Sequence, residues 1–181
     1  MKAVIKGIVV FLVALVVVIV GGAYLISPVA TVERSAAIAA PPEKMFAIAA
    51  SMKRFNEWSP WAALDPKAIY SFEGPEQGAG QKMMWSSADP NVGNGSQTIT
   101  EVVPGEKVVT EIDFGQMGKA LSTMTVKPAD GGSAVTWGFR SEVDGVMERW
   151  MSLMFDRWIG ADYEKGLANL KVLAEREQAG G

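Results

Sequence analysis

The 181-residue chain contains no cysteine and no histidine. Without cysteine there is no disulfide, and the sequence carries no redox signature of its compartment. Zinc sites are built mostly from cysteine and histidine, so a typical one is excluded and no metal ligands are assigned. Ser-His-Asp and Cys-His nucleophile systems are excluded with them. Catalysis would fall to Asp, Glu, Lys, Arg, Tyr, Ser or Thr. These form no concentrated polar constellation along the chain, so no catalytic residue and no cofactor is assigned.

A strong excess of charge of one sign is missing too. Lys and Arg number 17 against 20 Asp and Glu, a net charge of −3, with no block of like charge. A basic stripe interleaved with aromatics, the footprint of a nucleic-acid binder, is absent, and no nucleic-acid partner is expected.

What the chain does have is one long apolar run. Residues 7–26 read GIVVFLVALVVVIVGGAYLI, without a charge. At about 1.5 Å per residue, a helix of this length covers the roughly 30 Å hydrocarbon core of a bilayer. Its many β-branched residues favour strand in water, but in lipid the backbone must satisfy its own hydrogen bonds and the helix wins. Tyr24 falls where an interfacial aromatic belongs, and Pro28 is expected to end the helix. Lys2 and Lys6 precede the run, while Glu33 and Arg34 beyond it nearly cancel. This asymmetry predicts a cytoplasmic N-terminus and a domain outside, in the periplasm if the cell is Gram-negative. The rival reading, a cleaved signal peptide, asks for a shorter apolar region of about 7–15 residues and a small-residue cleavage site after it. The expected organisation is an anchor over residues 1–28 and one domain over residues 29–178. About 150 residues are enough to bury a substantial core unaided.

Beyond the anchor, residues 29–40 read as an extended strand. Pro41, Pro42 and Glu43 open a short helix with Met45, Phe46, Ile48 and Ala49 on its apolar face. Residues 54–58 read as a second short helix. Six short strands follow, near residues 68–72, 81–87, 96–103, 107–114, 119–127 and 134–140, separated by turns without intervening helix, as in an antiparallel meander. In the fourth of these, Val108, Thr110, Ile112 and Phe114 alternate with Val109, Glu111 and Asp113. In the last, Val135, Trp137 and Phe139 share a face, and Arg140 falls on the other. The chain closes with a helical stretch over residues 147–178, whose apolar positions recur at spacings of three and four, with Gly160 as the expected kink or break. The fold class is therefore α+β, a curved antiparallel sheet wrapped around a long C-terminal helix, with room for a cavity between them.

Four stretches carry a family resemblance: Arg34–Phe46, running from strand to helix; Met52–Trp61, close to a W-x-x-W-S-P-W pattern with Phe55 in the first aromatic place; Gly74–Gly80 followed by Trp85; and Asp162–Lys171. Together they resemble the START-like superfamily with its helix-grip fold, in particular the polyketide-cyclase/dehydrase-type proteins often labelled SRPBCC. The resemblance spans about residues 32–175. It implies a deep cavity between sheet and helix, often for an apolar ligand, in a superfamily that includes lipid carriers, hormone receptors, cyclases and chaperone cofactors. Fold does not fix function in such a group.

Candidate ligand-binding residues follow from the apolar faces. Trp58 and Trp61 line the cavity mouth or cap the core beneath the short helices. Trp85, Trp137 and Phe139 lie on strand faces turned inward. Met147, Met151, Met154 and Trp158, with Trp150, form a stripe on the long helix that suits an adaptable binding surface, plain core, or contact with the bilayer. Glu111, Asp113 and Arg140 read as solvent-facing, as do Asp156, Asp162, Tyr163 and Glu164, and Asp65 and Asp89 read as turn formers. The function expected is a membrane-tethered module holding an apolar small molecule or lipid, its partners being the bilayer through residues 7–26 and that ligand. The alternatives are a tethered protein-interaction domain without ligand and a polyketide cyclase/dehydrase-like enzyme.

Overall fold

The computed structural model describes residues 2–180. Its elements run α1 (Lys2–Ala23), β1 (Val29–Ile38), α2 (Pro42–Ala49), α3 (Met52–Phe55), β2 (Ile69–Glu73), β3 (Lys82–Ser86), β4 (Asn94–Val103), β5 (Lys107–Asp113), β6 (Lys119–Ala129), β7 (Gly132–Glu142), α4 (Val146–Ser152) and α5 (Phe155–Ala179). The strands form one antiparallel seven-stranded sheet in the order β1-β7-β6-β5-β4-β3-β2. The meander expected from the turns is therefore closed by β1, which pairs with β7 from Val29 opposite Glu142 to Ile38 opposite Ser133.

Alternation decides which face is covered. Val108 and Thr110 of β5 are buried while Val109 and Glu111 are not, and Ser133, Val135, Trp137 and Phe139 of β7 are all buried while Arg140 is exposed. On this concave face sits the main core: Val32 and Ile38 from β1, Met45 and Ile48 from α2, Met124 and Val126 from β6, and Tyr163, Leu167, Leu170 and Leu173 from α5. A second cluster, Met52, Met83, Ile99 and Val108, fills the β3–β5 end. A register shift between Ile99 and Glu101 in β4 bends the sheet there, as a bulge does.

Three boundaries differ from expectation. α1 ends at Ala23, ahead of Pro28: Leu25 and Ile26 donate to the carbonyls of Gly22 and Ala23 and turn the chain out of the helix first. The second short helix is Met52–Phe55 rather than residues 54–58, because the Trp58 and Ser59 amides both return to the Phe55 carbonyl in a closing turn. The C-terminal stretch breaks at Leu153 and Met154, and Gly160 lies within α5. Gly160 has a different reason. A Cβ there would collide with the Arg34 guanidinium. Arg34 lies on β1 opposite Trp137, on the covered face, and reaches under α5 to Asp156 at 2.9 Å and Glu164 at 2.6 Å. The glycine leaves the passage that lets this edge-strand arginine tie α5 to the sheet.

Gln81 holds the other side. Its amide donates to the carbonyls of Ala50 and Gly78 and accepts from the Met52 amide, so one buried side chain satisfies the α2–α3 junction against the sheet.

Candidate ligand-binding face

The middle of the concave face is built from aromatic rings. Trp137 stacks on Tyr163 with centroids 3.8 Å apart and planes 8° off parallel. Trp58 meets Trp137 edge-on at 5.0 Å, Phe55 meets Trp58 at 4.8 Å, and Trp61 lies 6.0 Å from Trp137. Gly166 permits this packing, since a Cβ there would approach the Trp137 ring to 2.5 Å. Tyr163, expected in solvent, is fully buried. Its position on α5, four residues before Leu167, puts it on the covered stripe rather than beside Asp162 and Glu164. Burial pushes its phenol well above the ordinary tyrosine range, with Ser122 nearby opposing the shift.

The predicted site residues divide into two groups. Trp58 and Trp137 are buried in the ring cluster, Trp61 is half-buried against it, and Phe139 is buried against Phe155 at 6.0 Å. Trp85 is half-buried at the β3 end: its indole lies over Gly95 and donates to the Val92 carbonyl at 3.1 Å, with Phe114 edge-on at 6.3 Å. Met147, Met151, Met154 and Trp158 do not join this interior. All four are exposed, Met147 and Met151 on α4, Met154 at the break and Trp158 in the first turn of α5.

Among the solvent-facing candidates, Glu111 and Asp113 pair with Lys119 at 2.9 and 3.6 Å on the outer side of the sheet. Asp162 accepts from the Trp61 indole at 3.2 Å, which fixes that ring at the rim. Asp65 accepts from Ser87, a hydrogen bond that holds its carboxyl below the usual aspartate range.

The sequence reading missed a cluster of neutral polar groups. Gln97, Thr110 and Ser122 are all buried on the concave face. Thr110 stands opposite Ile99 and Ser122, and Ser122 opposite Phe139; Gln97 stands one row over, opposite Ile112. Ser122 accepts from the Trp137 indole at 2.8 Å. Among the described residues Gln97 has only the Met83 sulfur, at 4.0 Å, as a side-chain partner. The signal was in the alternation, which puts Thr110 on the face of Val108. The buried Trp58 indole nitrogen has no acceptor among the described residues. Buried donors are usually satisfied, so this one is exceptional. The described residues contain no cluster of carboxylates suited to a metal ion. The arrangement gathers aromatic rings and a few neutral hydrogen-bonding groups on one face, and the rings fill the middle of the space between β7 and α5 where a cavity was expected.

A family model described as polyketide cyclase/dehydrase and lipid transport matches residues 29–175. The chain belongs to this family. Solved structures with the same architecture include a Staphylococcus aureus protein of unknown function, 12% identical over 83% of this chain and 96% of that one, with a TM-score of 0.65. A Rhizobium leguminosarum protein is 21% identical over 82% of this chain and 95% of its own, with a TM-score of 0.57. The di-domain ARO/CYC StfQ of the steffimycin biosynthetic pathway is 15% identical, with 84% of this chain matching 53% of that one at a TM-score of 0.60. At these identities the likeness is one of fold. No curated protein sequence matches the chain. The match to the polyketide cyclase/dehydrase and lipid transport family takes in every strand of the sheet and most of α5. α1 stands outside the matched region, and it is long and apolar enough to cross a membrane.

Proposed function

We propose that this protein is a membrane-tethered binding module that holds an apolar, lipid-like molecule on the concave face of its sheet, with α1 as the anchor and the N-terminus cytoplasmic. The observation that carries the reading is the polar group of Gln97, Thr110 and Ser122, buried among aromatic and aliphatic side chains. Small-molecule sites are mostly apolar surfaces with a few placed polar groups, and this face has that composition. The unpartnered Trp58 indole supplies a further donor. The buried polar groups are hydroxyls and amides, and the Tyr163 phenol stays protonated near neutral pH, which suits holding a ligand better than moving protons. The tether rests on the uncharged run of α1 and on Lys2 and Lys6 before it.

Native mass spectrometry of the detergent-solubilised full chain, followed by extraction of bound small molecules, tests this. An apolar adduct at one per chain is expected. A clean mass with no uptake after incubation with a lipid extract would overturn it in favour of a tethered interaction domain. That second reading has its own support in the rings that fill the space between sheet and α5.

A further inference from the structure

Met147, Trp150, Met151, Met154 and Trp158 fall at spacings of three and four and share one side of α4 and the start of α5. All are exposed, Met147 to 71% and Trp158 to 52%, and Leu153 lies exposed beside them. An exposed apolar patch of this composition marks a contact surface. Its place in the fold says what it contacts. The Trp150 indole donates to the Ile19 carbonyl at 3.1 Å, and Gly22 leaves room for that ring, since a Cβ there would come within 2.8 Å of it. Arg149 donates to the Ile26 carbonyl at 3.1 Å, and its guanidinium lies 5.1 Å from the Tyr24 ring centroid. α4 is thus docked on the last turn of α1, and the stripe continues the exposed apolar surface of α1 through Leu25.

Chain length closes off other placements. Only Tyr24 to Pro28 separate α1 from β1. Even fully extended, five residues reach about 17 Å, and the hydrogen bonds of Leu25 and Ile26 shorten them further. A bilayer spanned by α1 therefore lies directly against α4. Ile19 is four residues before Ala23, about 6 Å down the helix axis, so the Trp150 indole reaches below the point where the chain leaves α1.

Building on the tether proposed above, we infer that α4 and the first turn of α5 lie in the leaflet at the C-terminal end of α1, with Met147, Met151, Met154 and Trp158 inserted among lipid. The domain is then seated on the membrane in one orientation rather than swinging from a stalk. Glu148 and Asp156 offset Arg149 and Arg157 in this segment, so insertion rests on apolar and tryptophan burial and does not depend on anionic lipid or salt.

The absence of cysteine makes the test direct. Full-length Met151→Cys, Trp158→Cys, Val13→Cys and Lys127→Cys variants, each carrying an environment-sensitive fluorophore, are reconstituted in phosphatidylcholine vesicles with and without brominated lipid. All four side chains are exposed, so the fold tolerates the labels. Expected is a blue-shifted emission lost to brominated lipid at 13, 151 and 158, and no loss at 127. Loss at 13 but not at 151 or 158 overturns the seating and leaves the tether standing. No loss at 13 overturns the tether and the seating together. A blue shift at 151 and 158 without lipid quenching, accompanied by disulfide cross-linking of the unlabelled Met151→Cys variant, assigns the stripe to a second copy instead.

Discussion

Trp137 and Tyr163 stack face to face across the gap between β7 and α5, and this pair joins the sheet to the long helix at the centre of the domain. Trp137 spends its indole proton on Ser122, while Tyr163 presents its ring to Trp61 as well. Trp137→Ala would remove one stacked face, the acceptor's partner and the ring that fills the space beside Gly166. Large aromatic truncations in a core cost about 3–5 kcal/mol. A drop of that size is expected in chemical denaturation of the full chain in detergent, and a loss below about 1 kcal/mol would mean that the rings carry little of the core.

Tyr163 predicts alkaline sensitivity. Its folded-state pKa lies above that of the unfolded chain, so the folded state favours the neutral phenol. The stabilisation is complete below the unfolded tyrosine value of about 10 and is lost as pH rises past it. Thermal midpoints measured upward from pH 8 should fall beyond that point in the wild type. Tyr163→Phe should fall less steeply. The residual slope includes Tyr70, whose phenol is also raised by burial. Parallel curves for the two proteins would show that Tyr163 is not the group responsible.

Gly160 and Arg34 should behave as a coupled pair. Gly160→Ala puts a methyl group where the guanidinium passes, and Arg34→Ala empties that passage. Each single change destabilises, the first by displacing Arg34 from Asp156 and Glu164 and the second by removing it. The double variant should therefore lose less than the two losses added. Additive losses in thermal denaturation would mean that Gly160 is not there to admit Arg34.

These two residues also mark where sequence reading stops. Strand faces were legible because alternation is local: Val108 and Thr110 against Val109 and Glu111, or Val135 and Trp137 against Arg140, need no partner to be assigned. The α5 stripe through Leu167 and Leu170 was legible by the same logic at helical period. Periodicity says which residues share a face, but not what covers it. Met147 to Trp158 repeat as a core stripe does, yet they lie where α4 has turned onto α1. The break at Leu153 and Met154 belongs to that docking, whereas Gly160 answers to an arginine far away in the chain. Tyr163 was misplaced because its charged neighbours in sequence lie on the other side of the helix. Ser122 came beside Thr110, and Gln97 one row over, only once strand register was known.

Acid should loosen the same tie. The Arg34 hydrogen bond holds the Asp156 carboxyl below the usual aspartate range. A depressed pKa contributes stability above the unfolded value of about 4, lost as pH falls through the lower folded value. The pair is partly exposed, so the effect is small and is best read as a difference. The gap in thermal midpoint between wild type and Asp156→Asn should be constant near neutrality and close below about pH 4. A gap that persists unchanged into acid would assign it to packing rather than charge.

Binding and stability should separate at the buried polar groups. Ser122 is a poor probe, because its removal leaves the Trp137 indole without an acceptor. Gln97 and Thr110 are better. Among the described residues the Gln97 amide has only the Met83 sulfur as a partner, and the Thr110 hydroxyl is close in shape to a methyl group. Gln97→Leu and Thr110→Val should therefore leave the thermal midpoint nearly unchanged, since apolar replacement of a poorly paired buried group is close to neutral. If these groups meet the polar end of a bound molecule, each change should weaken uptake by about 1–2 kcal/mol, or roughly five- to thirtyfold. The readout is the fraction of ligand-bearing chains in native mass spectra across a titration with the extracted adduct. Weaker uptake at constant stability assigns the concave face as the site. Unchanged uptake in both variants would place the ligand away from these polar groups and remove the main support for the binding face described here.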